Sequence, residues 1–221
     1  MLGPNGAGKT TVFNMITGVY APTEGRITLR GESIAGRKTH QIAQRGIART
    51  FQNIRLFPSL SVADNVRIGF NKVARTRFFG SVLQLGGYQQ EETKFTMEAD
   101  KLLDMFGLLQ KRDELAKNLS YGDQRRVEIV RAMATGPKLL LLDEPAAGMN
   151  PTEKTELMHL IRYLRDTFNI AIMLIEHDMK VVMGICERVT VLDYGLKIAS
   201  GTPEQVKNDP KVIEAYLGES V

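Results

Sequence analysis

The sequence predicts an α/β protein, a phosphate-loop core with a mainly parallel sheet and an inserted helical subdomain. Three observations predict it. Gly3-Pro4-Asn5-Gly6-Ala7-Gly8-Lys9-Thr10 spells G-x-x-x-x-G-K-T, and the following Thr11-Val12-Phe13-Asn14-Met15-Ile16 has the apolar spacing of a helix. Leu139-Leu140-Leu141-Leu142 ends in Asp143-Glu144, the pattern of a buried strand whose carboxyl end delivers carboxylates to a ligand. After Pro137, apolar runs and helical patterns alternate, which argues for a parallel sheet covered by helices.

Taken in order, a helix is expected from about Gly8 to Val19, a strand around Arg26–Leu29 and a short helix near His40–Gln44. From Ser61 the pattern changes. Ser61-Val62-Ala63-Asp64 reads as a capping box, and helical segments follow to about Thr135. Within them, residues 71–88 have weak periodicity and collect Lys72, Arg75, Arg77, Phe78 and Phe79, a surface excursion or a docking surface. The second α/β stretch is expected as strand Leu139–Leu142, helix Thr152–Arg165, strand Ile170–Ile175, helix Met179–Ile185 and strand Val189–Leu192. The division is therefore residues 1–60 (first part of the core), 61–136 (helical subdomain) and 137–221 (second part of the core with C-terminal helices).

Composition narrows the function. With 43% hydrophobic residues in 221, the chain can bury a substantial core. Its 29 basic and 25 acidic residues give a net charge of only +4, without a dense basic tract, so nucleic acid is not an expected partner. The apolar runs fall well short of the ~20 residues that span a bilayer, so a membrane role must come through a partner. The absence of a signal peptide and the single Cys186, at helical spacing from Val182, fit a reducing cytosol.

The glycines let successive backbone N–H groups turn inward around a β-phosphate, with a helix N-terminus aimed at the same charge. Gly3, Pro4, Asn5, Gly6, Ala7, Gly8, Lys9, Thr10 and Thr11 are the candidate nucleotide contacts. Lys9 reaches the β- and γ-phosphates, and Thr10 and Asp143 are placed for Mg²⁺. Glu144 can accept a proton from water attacking the γ-phosphate. Ser120-Tyr121-Gly122-Asp123 reads as the capped start of a helix, a second anion site.

Together these residues resemble the ATP-binding-cassette ATPases. Leu119-Ser120-Tyr121-Gly122-Asp123-Gln124 looks like the family's signature motif, Gln52 after Arg49-Thr50-Phe51 like its glutamine-loop residue, and His177 after Ile175-Glu176 like its switch histidine, all in family order. The resemblance implies an ATPase with ATP and Mg²⁺, with Gln52 touching the metal and attacking water, and His177 holding that water and Glu144 in line. It implies that Ser120 and Gly122 serve the γ-phosphate of a second cassette subunit, in a homo- or heterodimer. Asn150 falls where the family usually has aspartate.

Within the family, Arg49–Phe57, Pro145–Pro151 and Ile175–Lys180 look most like an ATPase subunit of bacterial branched-chain amino-acid importers. That likeness implies permease subunits at the cytoplasmic face of the inner membrane and, indirectly, a periplasmic substrate-binding protein. Urea or amide import, lipopolysaccharide export and an inactive nucleotide-binding subunit stand as alternatives. The family has strands and an adenine-stacking aromatic ahead of the phosphate loop, whereas Met1 and Leu2 alone precede Gly3. The expectation is a miscalled start or a fragment that folds poorly or binds ATP weakly.

Overall fold

The computed structural model describes residues 1–74 and 88–217. Most of the 71–88 excursion lies outside the described residues. The helices are α1 (Lys9–Ile16), α2 (Thr39–Gln44), α3 (Val62–Ala74), α4 (Tyr88–Met105), α5 (Tyr121–Met133), α6 (Pro151–Phe168), α7 (Met179–Ile185), α8 (Pro203–Lys207) and α9 (Pro210–Leu217). The strands are β1 (Thr28–Leu29), β2 (Glu32–Ser33), β3 (Ile47–Arg49), β4 (Leu139–Asp143), β5 (Ala171–Ile175), β6 (Val189–Asp193) and β7 (Leu196–Gly201).

β3, β4 and β5 form a parallel sheet with β4 in the middle, Ala48 opposite Leu140 and Asp143 opposite Ile175. Leu140, Leu141 and Leu142 are buried on both faces of the sheet, as a central parallel strand requires. Met1 and Leu2 link this sheet to the next one. The Met1 ammonium donates to Leu174 O and Glu176 N–H donates to Met1 O, while Leu2 N–H donates to Thr190 O and Leu192 N–H to Leu2 O. The layer therefore runs β3, β4, β5, residues 1–2, β6, β7. Gly3 leaves at the same end as Asp143 and Glu176, which gathers three loops at the carboxyl ends of the strands. Where residues 1–2 stop pairing, a cleft of about 450 Å³ lies between β5 and β6, lined by Met1, Ala171, Met173, Cys186 and Thr190 among others.

The largest apolar cluster is continuous from the helices into the sheet. Val62 and Val66 of α3, Leu103 of α4 and Val127, Ile129 and Val130 of α5 join Leu140 and Leu142 of β4 and Leu157, Ile161 and Leu164 of α6. α3 crosses α5 at Gly69, where an added methyl would lie 2.5 Å from the carbonyl oxygen of Arg131. Helix starts follow the sequence signals. Ser61, Ser120 and Asn150 each accept the N–H of the residue three further on, and Glu153 returns a bond to Asn150 N–H.

Several expectations need correction. The first helix ends at Ile16, because the Thr17 hydroxyl turns back onto Phe13 O and Gly18 is left-handed (φ 73°), where a side chain would strike Arg37 O. The strand near residue 26 is confined to Thr28–Leu29. β2, β3 and β7 carried no legible signal, and β1–β2 and β6–β7 are antiparallel pairs outside the parallel sheet.

Candidate functional site

The 3–11 loop is held at both ends. Gly3 and Ala7 are buried, and Gly3, Gly6 and Gly8 have φ of 148°, 82° and 93°, the conformations only glycine adopts without strain. Gly8 is the N-cap of α1, so the first N–H groups of that helix face the loop, while Thr10 and Thr11 lie exposed on its first turn. A side chain at Gly3 would lie 2.2 Å from Leu192 O. The β6–β7 turn also braces the loop, with Gly195 N–H donating to Ala7 O at 3.1 Å.

Lys9 is buried, and its ammonium donates to Gly3 O at 2.7 Å and Pro4 O at 2.9 Å. Burial lowers its pKa, against the opposing pull of the Glu144 and Asp143 carboxylates. The cation is thus already partly stripped of water beside two anions.

Asp143 ends β4 and is buried. Arg49 Nη2 donates to its Oδ2 at 2.8 Å. Arg49 is itself fixed by Asn14 Oδ1 at 2.7 Å and lies over the rings of Phe13 and Phe51. Glu144 follows in the left-handed region at φ 46°, held by its N–H on Ile175 O and by Ala147 N–H on its own carbonyl. Gln52 Nε2 donates to Glu144 Oε2 at 3.0 Å, and His177 Nδ1 stands 3.9 Å from the same oxygen. His177 is exposed and Glu144 mostly covered.

Lys9, Gln52, Asp143, Glu144 and His177 therefore come together, with Thr10 on the adjoining turn. Ser120 and Gly122 are held elsewhere, at the start of α5. The Ser120 hydroxyl donates to Asp123 Oδ2, which also takes Lys111 at 2.6 Å, and a methyl at Gly122 would meet Glu153. These contacts, Lys111 foremost, hold the Asp123 carboxyl below its usual range against the opposing effect of burial.

The sequence left three structural residues of this site without a role. Fully buried Arg125 on α5 donates to Phe51 O at 2.5 Å, Gln52 O at 2.6 Å and Glu128 Oε2 at 2.8 Å, tying the Ser120 helix to the Gln52 loop. Buried Glu176 accepts Ala146 N–H at 2.9 Å and His177 N–H at 3.2 Å, tying the loop after Glu144 to the loop carrying His177. Burial pushes its carboxyl up despite these N–H donors. Arg49 is the third. Its only sequence signal, like that of Arg125 and Glu176, is adjacency to motif residues.

Residues 1–147 match the ABC transporter family model. The chain belongs to the ABC transporter family. Residues 197–221 of this cassette match a second model, Branched-chain amino acid ATP-binding cassette transporter. The cassette is 48% identical over 220 residues to the high-affinity branched-chain amino acid transport ATP-binding protein LivG of Escherichia coli (strain K12), covering 100% of this chain and 86% of that protein. Identity to the corresponding protein BraF of Pseudomonas aeruginosa is 46% with the same coverage. The ADP conformation of MJ1267, an ATP-binding cassette of an ABC transporter, superposes with a TM-score of 0.84 at 31% identity, covering 99% of this chain and 86% of that one. Among the described residues, no helix is long and apolar enough to cross a membrane.

Proposed function

We propose that this cassette is the ATP-hydrolysing motor of a branched-chain amino-acid importer, attached through permease subunits to the cytoplasmic face of the inner membrane and paired with a second cassette. The observation that carries the catalytic reading is the convergence of Gln52 and His177 on one oxygen of Glu144. Glu144 takes the proton of the attacking water, while Gln52 and His177 hold carboxylate and water in line. Lys9 and the N–H groups of the 3–11 loop bind the phosphates. Thr10, Asp143 and Gln52 would hold Mg²⁺, which would supply positive charge to the β- and γ-phosphates. Hard oxygen donors suit that ion.

Ser120 and Gly122 present the start of α5 to the γ-phosphate on the partner cassette. Residues 1–60 and 137–221 then carry hydrolysis, and 61–136 carries the signature helix, coupled back to Gln52 through Arg125. The 48% identity to LivG and the C-terminal match support the substrate class.

Binding and hydrolysis by purified Glu144→Gln and Lys9→Ala test the catalytic part. Removing the general base is expected to lower kcat roughly 10²–10⁴-fold while ATP binding persists and a dimer accumulates. Lys9→Ala loses binding and hydrolysis together. Wild-type hydrolysis by Glu144→Gln refutes the assignment. Uptake of labelled leucine into cells lacking their own importer ATPase, with and without this chain, tests the substrate; no restored uptake by an expressed, ATPase-active chain refutes it.

A further inference from the structure

The segment matched by the branched-chain model, residues 197–221, includes α9, and α9 touches the 3–11 loop directly. Asp209 Oδ1 accepts Lys211 N–H, and Pro210 opens the helix. Val212 is buried in one apolar cluster with Leu2, Val189, Val191, Ala199 and Val206. Tyr216 is four residues on, hence on the same face of α9. Its hydroxyl accepts Gly3 N–H at 2.9 Å, across 213 residues of sequence.

The position of that bond matters more than its number. The Leu2–Gly3 peptide is fixed on both sides, its carbonyl by Leu192 N–H at 2.9 Å and its N–H by Tyr216. The next carbonyl, Gly3 O, is one of the two that accept Lys9 Nζ, the other being Pro4 O. Tyr216 therefore stands one peptide from the ammonium that binds phosphate. Elsewhere α9 and the loop are separated by a groove of about 530 Å³, lined by Pro4, Asn5 and Gly6 on one side and by Lys211, Glu214 and Ala215 on the other. The phenol spans that gap as a strut. Burial raises its pKa, so it stays a neutral hydroxyl at physiological pH.

We propose that Tyr216 is a positioning residue for the nucleotide site, its hydroxyl fixing the Leu2–Gly3 peptide and through it Gly3 O, the nearer of the two carbonyls that hold Lys9. The proposal rests on reading residues 3–11 as the ATP phosphate loop. Tyr216→Phe removes the oxygen and keeps the ring. With the full chain, two readouts are taken without hydrolysis: amide exchange of Gly3 in the absence of nucleotide, and affinity for a fluorescent ATP analogue in EDTA. From the usual worth of one hydrogen bond to a buried amide, Gly3 exchange is expected to quicken roughly tenfold and the analogue's Kd to rise roughly three- to tenfold. KM for Mg-ATP rises in step while kcat at saturation stays within roughly twofold, the signature of lost ground-state positioning. Ile213→Ala, an exposed position on the same helix, leaves both readouts at wild type.

Unchanged exchange and affinity in Tyr216→Phe overturn the proposal, as does a fall in kcat at constant KM. Failure of the wild-type chain to bind the analogue removes the nucleotide reading and the role with it, and nucleotide-free exchange then still decides whether the contact exists.

Discussion

Arg49→Met removes the guanidinium from Asp143 and leaves a buried carboxylate without its hydrogen-bonded partner. The pair's side chains are only 7% and 6% exposed, which decides the magnitude. An exposed ion pair contributes about 0–1 kcal/mol, but breaking a buried one costs about 3–5 kcal/mol, since the remaining charge stays desolvated. At about 2–4 °C per kcal/mol for a chain of this size, the nucleotide-free protein should melt roughly 6–20 °C lower. Some of that loss belongs to the contacts with Phe13 and Phe51, 5.4 and 5.1 Å from the guanidinium carbon, worth about 0.5–1 kcal/mol each. The double variant Arg49→Met/Asp143→Leu separates the parts. With no stranded charge it should recover at least about 2 kcal/mol, a coupling typical of contacting residues. Urea unfolding of wild type, both singles and the double, followed by circular dichroism without nucleotide, measures all four. A loss below about 1 kcal/mol in Arg49→Met, or losses that simply add, would refute the reasoning.

Gly69→Ala should separate α3 from α5, because the new methyl meets Arg131 O at 2.5 Å and Ala134 Cβ at 2.7 Å; overpacking of this kind costs about 1–3 kcal/mol, read as a lower urea midpoint. Asn150→Ala removes the Oδ1 that accepts Glu153 N–H at the start of α6, leaving only the backbone N–H of residue 150 on Glu153, and should cost about 1 kcal/mol by the same assay. Glu176 has a pH dependence of definite sign. Its carboxyl is raised in the fold above the ordinary glutamate value, by burial, so its contribution is complete at low pH and is lost as pH rises through the raised value. Urea midpoints of Glu176→Gln relative to wild type should improve from pH 4 to pH 8, and a trend in the opposite direction counts against the burial argument.

The legible parts of the site were those in which chemistry is compressed into consecutive residues. Gly3–Thr10 and Leu139–Glu144 announce themselves because a loop around phosphate and a buried strand ending in carboxylates each need a dense local pattern. Arg49, Arg125, Glu176 and Tyr216 act on partners 94, 74, 30 and 213 residues away. An isolated arginine or tyrosine carries no periodicity to betray such a partner. The same distinction holds in the fold. α6 was readable from Leu157, Ile161 and Leu164 at helical spacing, all buried. β3, only three residues long, is shorter than any period that could reveal it. β7 was obscured because Leu196 and Lys197 both lie exposed, which erases the alternation of a half-buried strand.

Glu144 sits at φ 46°, a conformation that costs a residue with a β-carbon about 1–2 kcal/mol relative to the right-handed region. Glycine is exempt from that cost. Replacement of Glu144 by glycine should therefore raise the melting temperature while removing the group proposed to activate water. A random library of this chain selected for heat resistance alone will accordingly enrich silent motors at position 144, and directed evolution of a sturdier cassette has to screen for turnover at every round.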